Sequence, residues 1–423
     1  MQFIDGGVNA PEGFTANGML CGIKAGRTKN DTALIYSEKP CTAAGMFTQN
    51  RVKAESVKLT MKNIQNGKAQ AVIANSGNAN ACTGKEGEEN ALRMAKAVSS
   101  VLNVDSSDVI VCSTGVIGQQ LNVKVIEDNI ACLAAGLSKE GHKEARTAIM
   151  TTDTHYKECA VETEIGGKKV RIGAMCKGSG MIHINLGTML CFMTTDCAIS
   201  SAMLSKALHL SVEKSYNCVS IDGDTSTNDT LTLLANGMAG NKEICEEGRD
   251  FDLFLQALDA ISVQMAKKIA GDGEGASRLI ECNVTGAKDT QTARKLAKAV
   301  ISSSLVKAAF YGKDANWGRI LCAMGYSGEF FTPEKTSLSF KSIKGAKRHG
   351  FTDIMGDNEG EVQEIQVFDH GVPLDFDEDK AKLVLSEDEV TINVSLEDGN
   401  SSGRAWGCDL TYDYVKINGD YRT

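Results

Sequence analysis

One peptide bond, Gly187–Thr188, sets the tightest limit on how the middle of this chain can be built. It lies in the run Lys177-Gly178-Ser179-Gly180-Met181-Ile182-His183-Ile184-Asn185-Leu186-Gly187-Thr188-Met189-Leu190. A Gly-Ser-Gly stretch precedes it, and the apolar residues Met189-Leu190-Cys191-Phe192-Met193 follow. A threonine hydroxyl is a weak nucleophile unless a base stands beside it. Cleaving the Gly187–Thr188 bond supplies one on the same residue, because a free α-amine has a reference pKa near ~8 against ~10.4 for lysine. Such an amine is suited to general-base work at neutral pH. A chain of this kind becomes two pieces, 1–187 and 188–423. Gly-Thr pairs also occur in ordinary glycine-rich loops, so the pair alone leaves both readings open.

The charge balance removes other classes. A net charge of −9 argues against nucleic acid, whose phosphates require clustered Lys and Arg. No apolar run approaches the ~20 residues that span a bilayer. The first residues, Met1-Gln2-Phe3-Ile4-Asp5, have neither the basic start of a signal peptide nor transit-peptide character, so the expected location is the cytoplasm. The 14 cysteines lie far apart with no C-x-x-C and no His at ligand spacing. They are expected to be reduced and buried, with no metal site.

The coarse pattern alternates strands and helices. Ala71-Val72-Ile73-Ala74 reads as a strand entering an Asn/Gly-rich turn, and Val109-Ile110-Val111 as a second. Leu92, Ala95, Val98 and Leu102 have helical spacing within 89–102. Phe254, Leu258, Ile261, Met265 and Ile269 share one helical face within 252–269, and 291–309 reads as one further helix. Alternation of Val161, Thr163, Ile165, Val170 and Ile172 about Gly166-Gly167 predicts a hairpin. Residues 341–380 pass from basic to strongly acidic and are expected to form a solvated surface insertion.

Several motifs occur in order from about residue 30 to the end: Asn75-Ser76-Gly77-Asn78-Ala79-Asn80, Ser113-Thr114-Gly115-Val116, Thr151-Thr152-Asp153-Thr154, Lys177-Gly178-Ser179-Gly180, Asp222-Gly223-Asp224 through Thr230, Gly273-Glu274-Gly275, Asp314-Ala315-Asn316-Trp317-Gly318-Arg319 and Ala405-Trp406-Gly407-Cys408-Asp409. With Thr188 these motifs resemble the ornithine acetyltransferase (glutamate N-acetyltransferase) family of arginine biosynthesis. The resemblance implies an α/β layered sandwich, with central β-sheets flanked by helices and the self-processing organisation of N-terminal-nucleophile enzymes. It implies fragments 1–187 and 188–423 that stay associated as an α2β2 heterotetramer. It also implies ping-pong acetyl transfer from N-acetylornithine to glutamate through an acetyl-threonine ester. Some members of the family use acetyl-CoA as a further donor.

Residue by residue, the resemblance makes Thr188 the nucleophile, Gly187–Thr188 the cleaved bond, and the Thr114 hydroxyl with the Gly115 N–H the oxyanion hole. Thr151 or its neighbour Thr152, Lys177, Thr188, Glu274, Asn418 and Thr423 become substrate-binding residues. Two positions depart from the family pattern: Gly187 replaces the usual Ala, and His183 stands where a small apolar residue is more usual. His183 invites a base role, although a lone His near a loop is commonly incidental. Ser113-Thr114-Gly115 also reads as a plain turn, and Lys177 and Glu274 as surface charges. The reaction needs neither metal nor cofactor. A calcium loop at Asp222 fails at Thr227 and Leu233, and neither a P-loop nor a dinucleotide loop is present. Two rivals follow: a self-processed amidase or aminopeptidase with water as acceptor, and a non-catalytic ornithine-binding protein.

Overall fold

The computed structural model describes residues 1–24, 26–183, 189–348 and 360–420. In chain order the strands are β1 (Gln2–Ile4), β2 (Phe14–Met19), β3 (Thr32–Phe47), β4 (Lys68–Asn78), β5 (Val109–Val116), β6 (Lys157–Ile165), β7 (Lys168–Lys177), β8 (Ile182–His183), β9 (Leu190–Thr195), β10 (Ser220–Thr225), β11 (Thr230–Ala235), β12 (Leu279–Ala287), β13 (Ser337–Ile343), β14 (Val362–Asp369), β15 (Val372–Pro373), β16 (Glu389–Ser395) and β17 (Ser401–Cys408). The helices used below are α1 (Gly84–Leu102), α2 (Lys124–Ala135), α3 (His142–Ile149), α4 (Arg249–Gly271), α5 (Thr290–Ser302), α6 (Ser304–Gly312) and α7 (Tyr412–Gly419). The chain divides into two units. The first comprises Met1–Gly178, Ile184–Asn217 and Thr225–Met265; the second comprises Ser179–His183, Cys218–Asp224 and Ala266–Thr423.

The first unit is organised by a two-residue alternation along its central strands. Ala33 and Ile35 of β3, Val72 and Ala74 of β4, and Ile110 and Cys112 of β5 pack with Ala145, Ala148 and Ile149 of α3. The residues between them, Leu34, Ala71, Ile73, Val109 and Val111, pack on the other face with Met94, Ala95 and Val98 of α1 and Ile126, Ile130 and Leu133 of α2. Each fully buried aliphatic side chain contributes about 1.5–3 kcal/mol. Both faces of the sheet are therefore covered, which gives the layered α/β arrangement. The sheet runs β1-β6-β7-β9-β11-β3-β4-β5, with β2 on β3. The pairs β9–β11 and β4–β5 are parallel.

The second unit carries a six-stranded sheet, β15-β14-β13-β16-β12-β17, in which β12–β16 is parallel. Helix α5 packs on β12 and β17, burying Ala293, Leu296, Ala297 and Val300 with Trp406. The short pair β8–β10 belongs here as well.

The expected hairpin is β6–β7, with Ile165 opposite Lys168 across the two glycines. The five predicted apolar residues of α4 are fully buried. Three expectations are corrected. The predicted helix 291–309 is two helices, because Ser303 leaves helical geometry at ψ 116° and its hydroxyl caps α6 by accepting from Val306 N. Leu92 is exposed, and α1 turns Ala91, Met94, Ala95 and Val98 inward instead. The segment 341–380 is more than a surface insertion, because β14 joins the sheet and buries Ile365, Val367 and Phe368. Ten of the 14 cysteines are buried, while Cys82, Cys132, Cys245 and Cys322 are exposed. Among the described residues no helix is long and apolar enough to cross a membrane.

Candidate functional site

Gly187, Thr188 and Thr423 lie outside the described residues. The other predicted site residues fall into two groups, one in each unit.

In the first unit, parallel pairing sets Ser76 beside Thr114 and Gly77 beside Gly115 at the ends of β4 and β5. The register slips at Gly77 and Asn78, a bulge of the kind that re-aims backbone groups. Gly115 has φ +136°, and a Cβ there would collide with the Gly77–Asn78 peptide. Only glycine fits. The two strand ends are tied by Asn228, whose amide donates to Ala79 O at 2.6 Å and to Ser113 O at 2.7 Å. The Thr114 hydroxyl is partly exposed and makes no hydrogen bond among the described residues. It remains available to a ligand.

Thr151 and Lys177 are brought to a common anchor, Asp153. Its buried carboxylate accepts from Lys157 Nζ at 2.6 Å, Gly178 N at 2.8 Å and Thr151 N at 3.1 Å. Burial pushes the Asp153 acid up, but the charges of Lys157 and Lys177 and these hydrogen bonds outweigh it, holding the group well below the usual carboxylate range. Lys177 is 8% exposed and forms no salt bridge among the described residues. Thr152 is half-buried in the same turn. In antiparallel register Lys177 stands opposite Leu190, the first residue of β9.

In the second unit, residues 179–183 are held at several points. Ser179 Oγ donates to Asp272 O at 2.6 Å, and Glu274 N donates to Ser179 O at 2.8 Å. Met181 N and Ile182 N both donate to the Asp222 carboxylate, at 2.6 and 2.7 Å. His183 Nδ1 lies 3.0 Å from Ser220 Oγ. Burial, helped by the Lys298 charge, pushes His183 down to about 4. Its ring is neutral at physiological pH.

Glu274 is buried, and its carboxylate accepts from Asn418 Nδ2 at 2.8 Å. A side chain at position 180 would strike that carboxylate, so Gly180 admits the close approach. Asn418 stands on α7, whose first turn is fixed by Thr411 Oγ1 donating to Gly275 O at 2.7 Å. Glu274 and Asn418 are thus a direct pair, which the sequence placed far apart. Asp153, Asn228 and Asp222 were visible only as members of their motifs. The signal that could have found them is an acid or amide flanked by small hydroxyl or glycine residues.

The ArgJ family model matches residues 15–423. The chain is 48% identical to the arginine biosynthesis bifunctional protein ArgJ of Caldanaerobacter subterraneus subsp. tengcongensis, with 100% of each chain covered. It is also 48% identical to ArgJ 1 of Clostridium acetobutylicum, covering 97% of this chain and 96% of the relative. Among solved structures it is similar to an ornithine acetyltransferase from Mycobacterium tuberculosis complexed with ornithine. That match has 36% identity over 45% of this chain and 99% of the other, with a TM-score of 0.41.

Proposed function

Because the chain belongs to the ArgJ family, we propose that it transfers an acetyl group from N-acetylornithine to glutamate by way of Thr188. It is an acetyltransferase of arginine biosynthesis, and the observation that carries this is the full-length match to curated relatives at 48% identity. The relatives are named bifunctional, and we read the second activity here as acetylation of glutamate from acetyl-CoA.

In the proposed mechanism the chain first cleaves at Gly187–Thr188. The Thr188 hydroxyl adds to the acetyl carbonyl of N-acetylornithine while its own α-amine takes the proton. The oxyanion is stabilised by the Thr114 hydroxyl and the Gly115 N–H. Loss of one such donor costs ~3 kcal/mol, or a hundredfold or more in rate. The C–N bond then breaks, and ornithine leaves with that proton. Glutamate's neutral amine attacks the acetyl-threonine ester and gives up a proton to the Thr188 α-amine. That proton passes to the Thr188 oxygen as the ester C–O bond breaks, which regenerates Thr188 with N-acetylglutamate as product. Lys177, a buried cation with no short ion pair, is the group a substrate carboxylate would meet. Glu274, whose buried carboxylate accepts from the neutral Asn418 amide, is the group an ammonium would meet. Thr151, Thr152, Asn418 and Thr423 complete the polar contacts. The two fragments work as an α2β2 heterotetramer in the cytoplasm.

Intact mass under denaturing conditions, with N-terminal sequencing, tests the reading. Two fragments are expected, the larger beginning Thr188-Met189-Leu190, and Thr188→Ala should stay whole and inactive. Wild-type turnover by that variant would falsify the mechanism. Acetylornithine hydrolysis undiminished by glutamate would instead favour an amidase, and an intact chain that binds ornithine without turnover would favour a binding protein.

A further inference from the structure

The net charge of this chain is −9, yet Lys24, Arg27 and Lys29 all line one cleft of the first unit. The cleft measures about 360 Å³, and its far wall is Met150, Thr151 and Asp153. Arg27 fixes the cationic loop there, donating from Nη2 to Met150 O at 2.9 Å and to Asn30 O at 3.3 Å. Lys24 and Lys29 are exposed and have no ion pair among the described residues.

The nearby acids do not cancel this charge. Asp153 is already paired with Lys157 at 2.6 Å. Asp31 accepts from the backbone N–H groups of Cys21, Gly22 and Ile23 at 2.8–2.9 Å and from the Thr32 hydroxyl. The cationic loop also lies against the strand ends that carry Gly115. A Cβ at Gly77 would stand 3.5 Å from Lys24 Cβ and 3.6 Å from Arg27 Nη1, and Gly77 is the register partner of Gly115.

We propose that this cleft binds the phosphates of a nucleotide thioester acyl donor, so that an acyl carbonyl at Thr114–Gly115 leaves its polyanionic end among Lys24, Arg27 and Lys29. The inference rests on the acetyl-CoA activity proposed above. N-acetylornithine carries one carboxylate and glutamate two, whereas three clustered cations match a diphosphate. Arginine supplies a forked donor and lysine a point charge. A volume of about 360 Å³ falls in the ~300–1,000 Å³ range of small-molecule sites.

The test uses the self-cleaved wild type and the double variant Lys24→Ala/Lys29→Ala, with thermal midpoint and extent of self-cleavage as fold controls. Calorimetric binding of coenzyme A and of inorganic pyrophosphate is measured beside steady-state kinetics with each acetyl donor. The expected result is at least a tenfold loss of binding for both probes. The KM for acetyl-CoA should rise at least tenfold more than the KM for N-acetylornithine. Lost pyrophosphate binding with an unchanged acetyl-CoA KM would overturn the donor assignment and point to free phosphate. Turnover of acetyl-CoA that ignores both lysines would overturn the subsite while leaving the activity standing. If the wild type does not use acetyl-CoA, lysine-dependent binding of coenzyme A still supports the subsite, and the second activity falls.

Discussion

Asp153 and Glu274 are both buried carboxylates, 7% and 6% exposed, yet their surroundings differ in kind. Asp153 has an ammonium at 2.6 Å and two backbone donors on the same carboxylate. Glu274 has an amide donor at 2.8 Å and no cation within salt-bridge distance among the described residues. Burying a charge is costly unless it is matched. The matched acid is therefore a fixture of the first unit, while the unmatched one keeps a charge for something that arrives from outside. A deep carboxylate is thus not a functional carboxylate by depth alone; what separates the two is whether the protein itself answers the charge.

The strongest way to break this contrast is Asp153→Asn. The substitution strands Lys157, which is 2% exposed, without its counter-charge, and removing one partner of a buried pair typically costs about 3–5 kcal/mol. Denaturant midpoints should fall accordingly. Because the folded state holds Asp153 below its ordinary value, its contribution is present above about pH 4 and is lost as pH falls through the folded value. A variant as stable as wild type would remove Asp153 from the structural side.

Glu274→Gln should behave in the opposite way. The amide keeps an oxygen for Asn418, so thermal midpoints should hardly move. A charge-assisted hydrogen bond of ~1.5–3 kcal/mol is lost to the substrate, so KM should rise about tenfold to a hundredfold with little change in kcat. Steady-state kinetics and a melting curve decide it together. An unchanged KM with a lowered midpoint would make Glu274 a second Asp153.

Much of the fold was legible in the sequence because periodicity encodes local burial. The continuous apolar runs Ala71–Ala74 and Val109–Val111 identified two strands, and the Phe254–Ile269 stripe identified α4. The failures have physical causes. Ser302-Ser303-Ser304 looks neutral within a helical pattern, but a serine hydroxyl competes for backbone donors and can restart a helix as its cap. The strand β14 was hidden because four of its eight residues are polar, two of them charged, and its apolar residues answer a sheet formed by strands distant in sequence. At the site, the resemblance supplied the residue list, and long-range contacts supplied the arrangement. Asn418 and Glu274 are 144 positions apart. The role of Asp153 as anchor for both Thr151 and Gly178 depends on a contact that no spacing rule predicts.

The smallest effect concerns the segment that leaves Lys177, whose two ends should respond differently to acid. The Asp153 end, at Gly178, stays anchored until strongly acidic pH. The Asp222 end carries His183, which burial holds at about 4, below its ordinary value near 6.5. Between those two values the opened segment binds a proton that the closed one does not. Closure is therefore fully favoured above about pH 6.5 and weakens as pH falls toward 4. Amide exchange at Met181 and Ile182, whose N–H groups donate to Asp222, should quicken severalfold over that range after correction for intrinsic rates. His183→Asn keeps a polar group near Ser220 but does not titrate, so its exchange should lose this pH slope while Gly178 exchanges as in wild type. Equal slopes in the two proteins would mean that Asp222 alone governs this end, and that His183 is a passive occupant of its position.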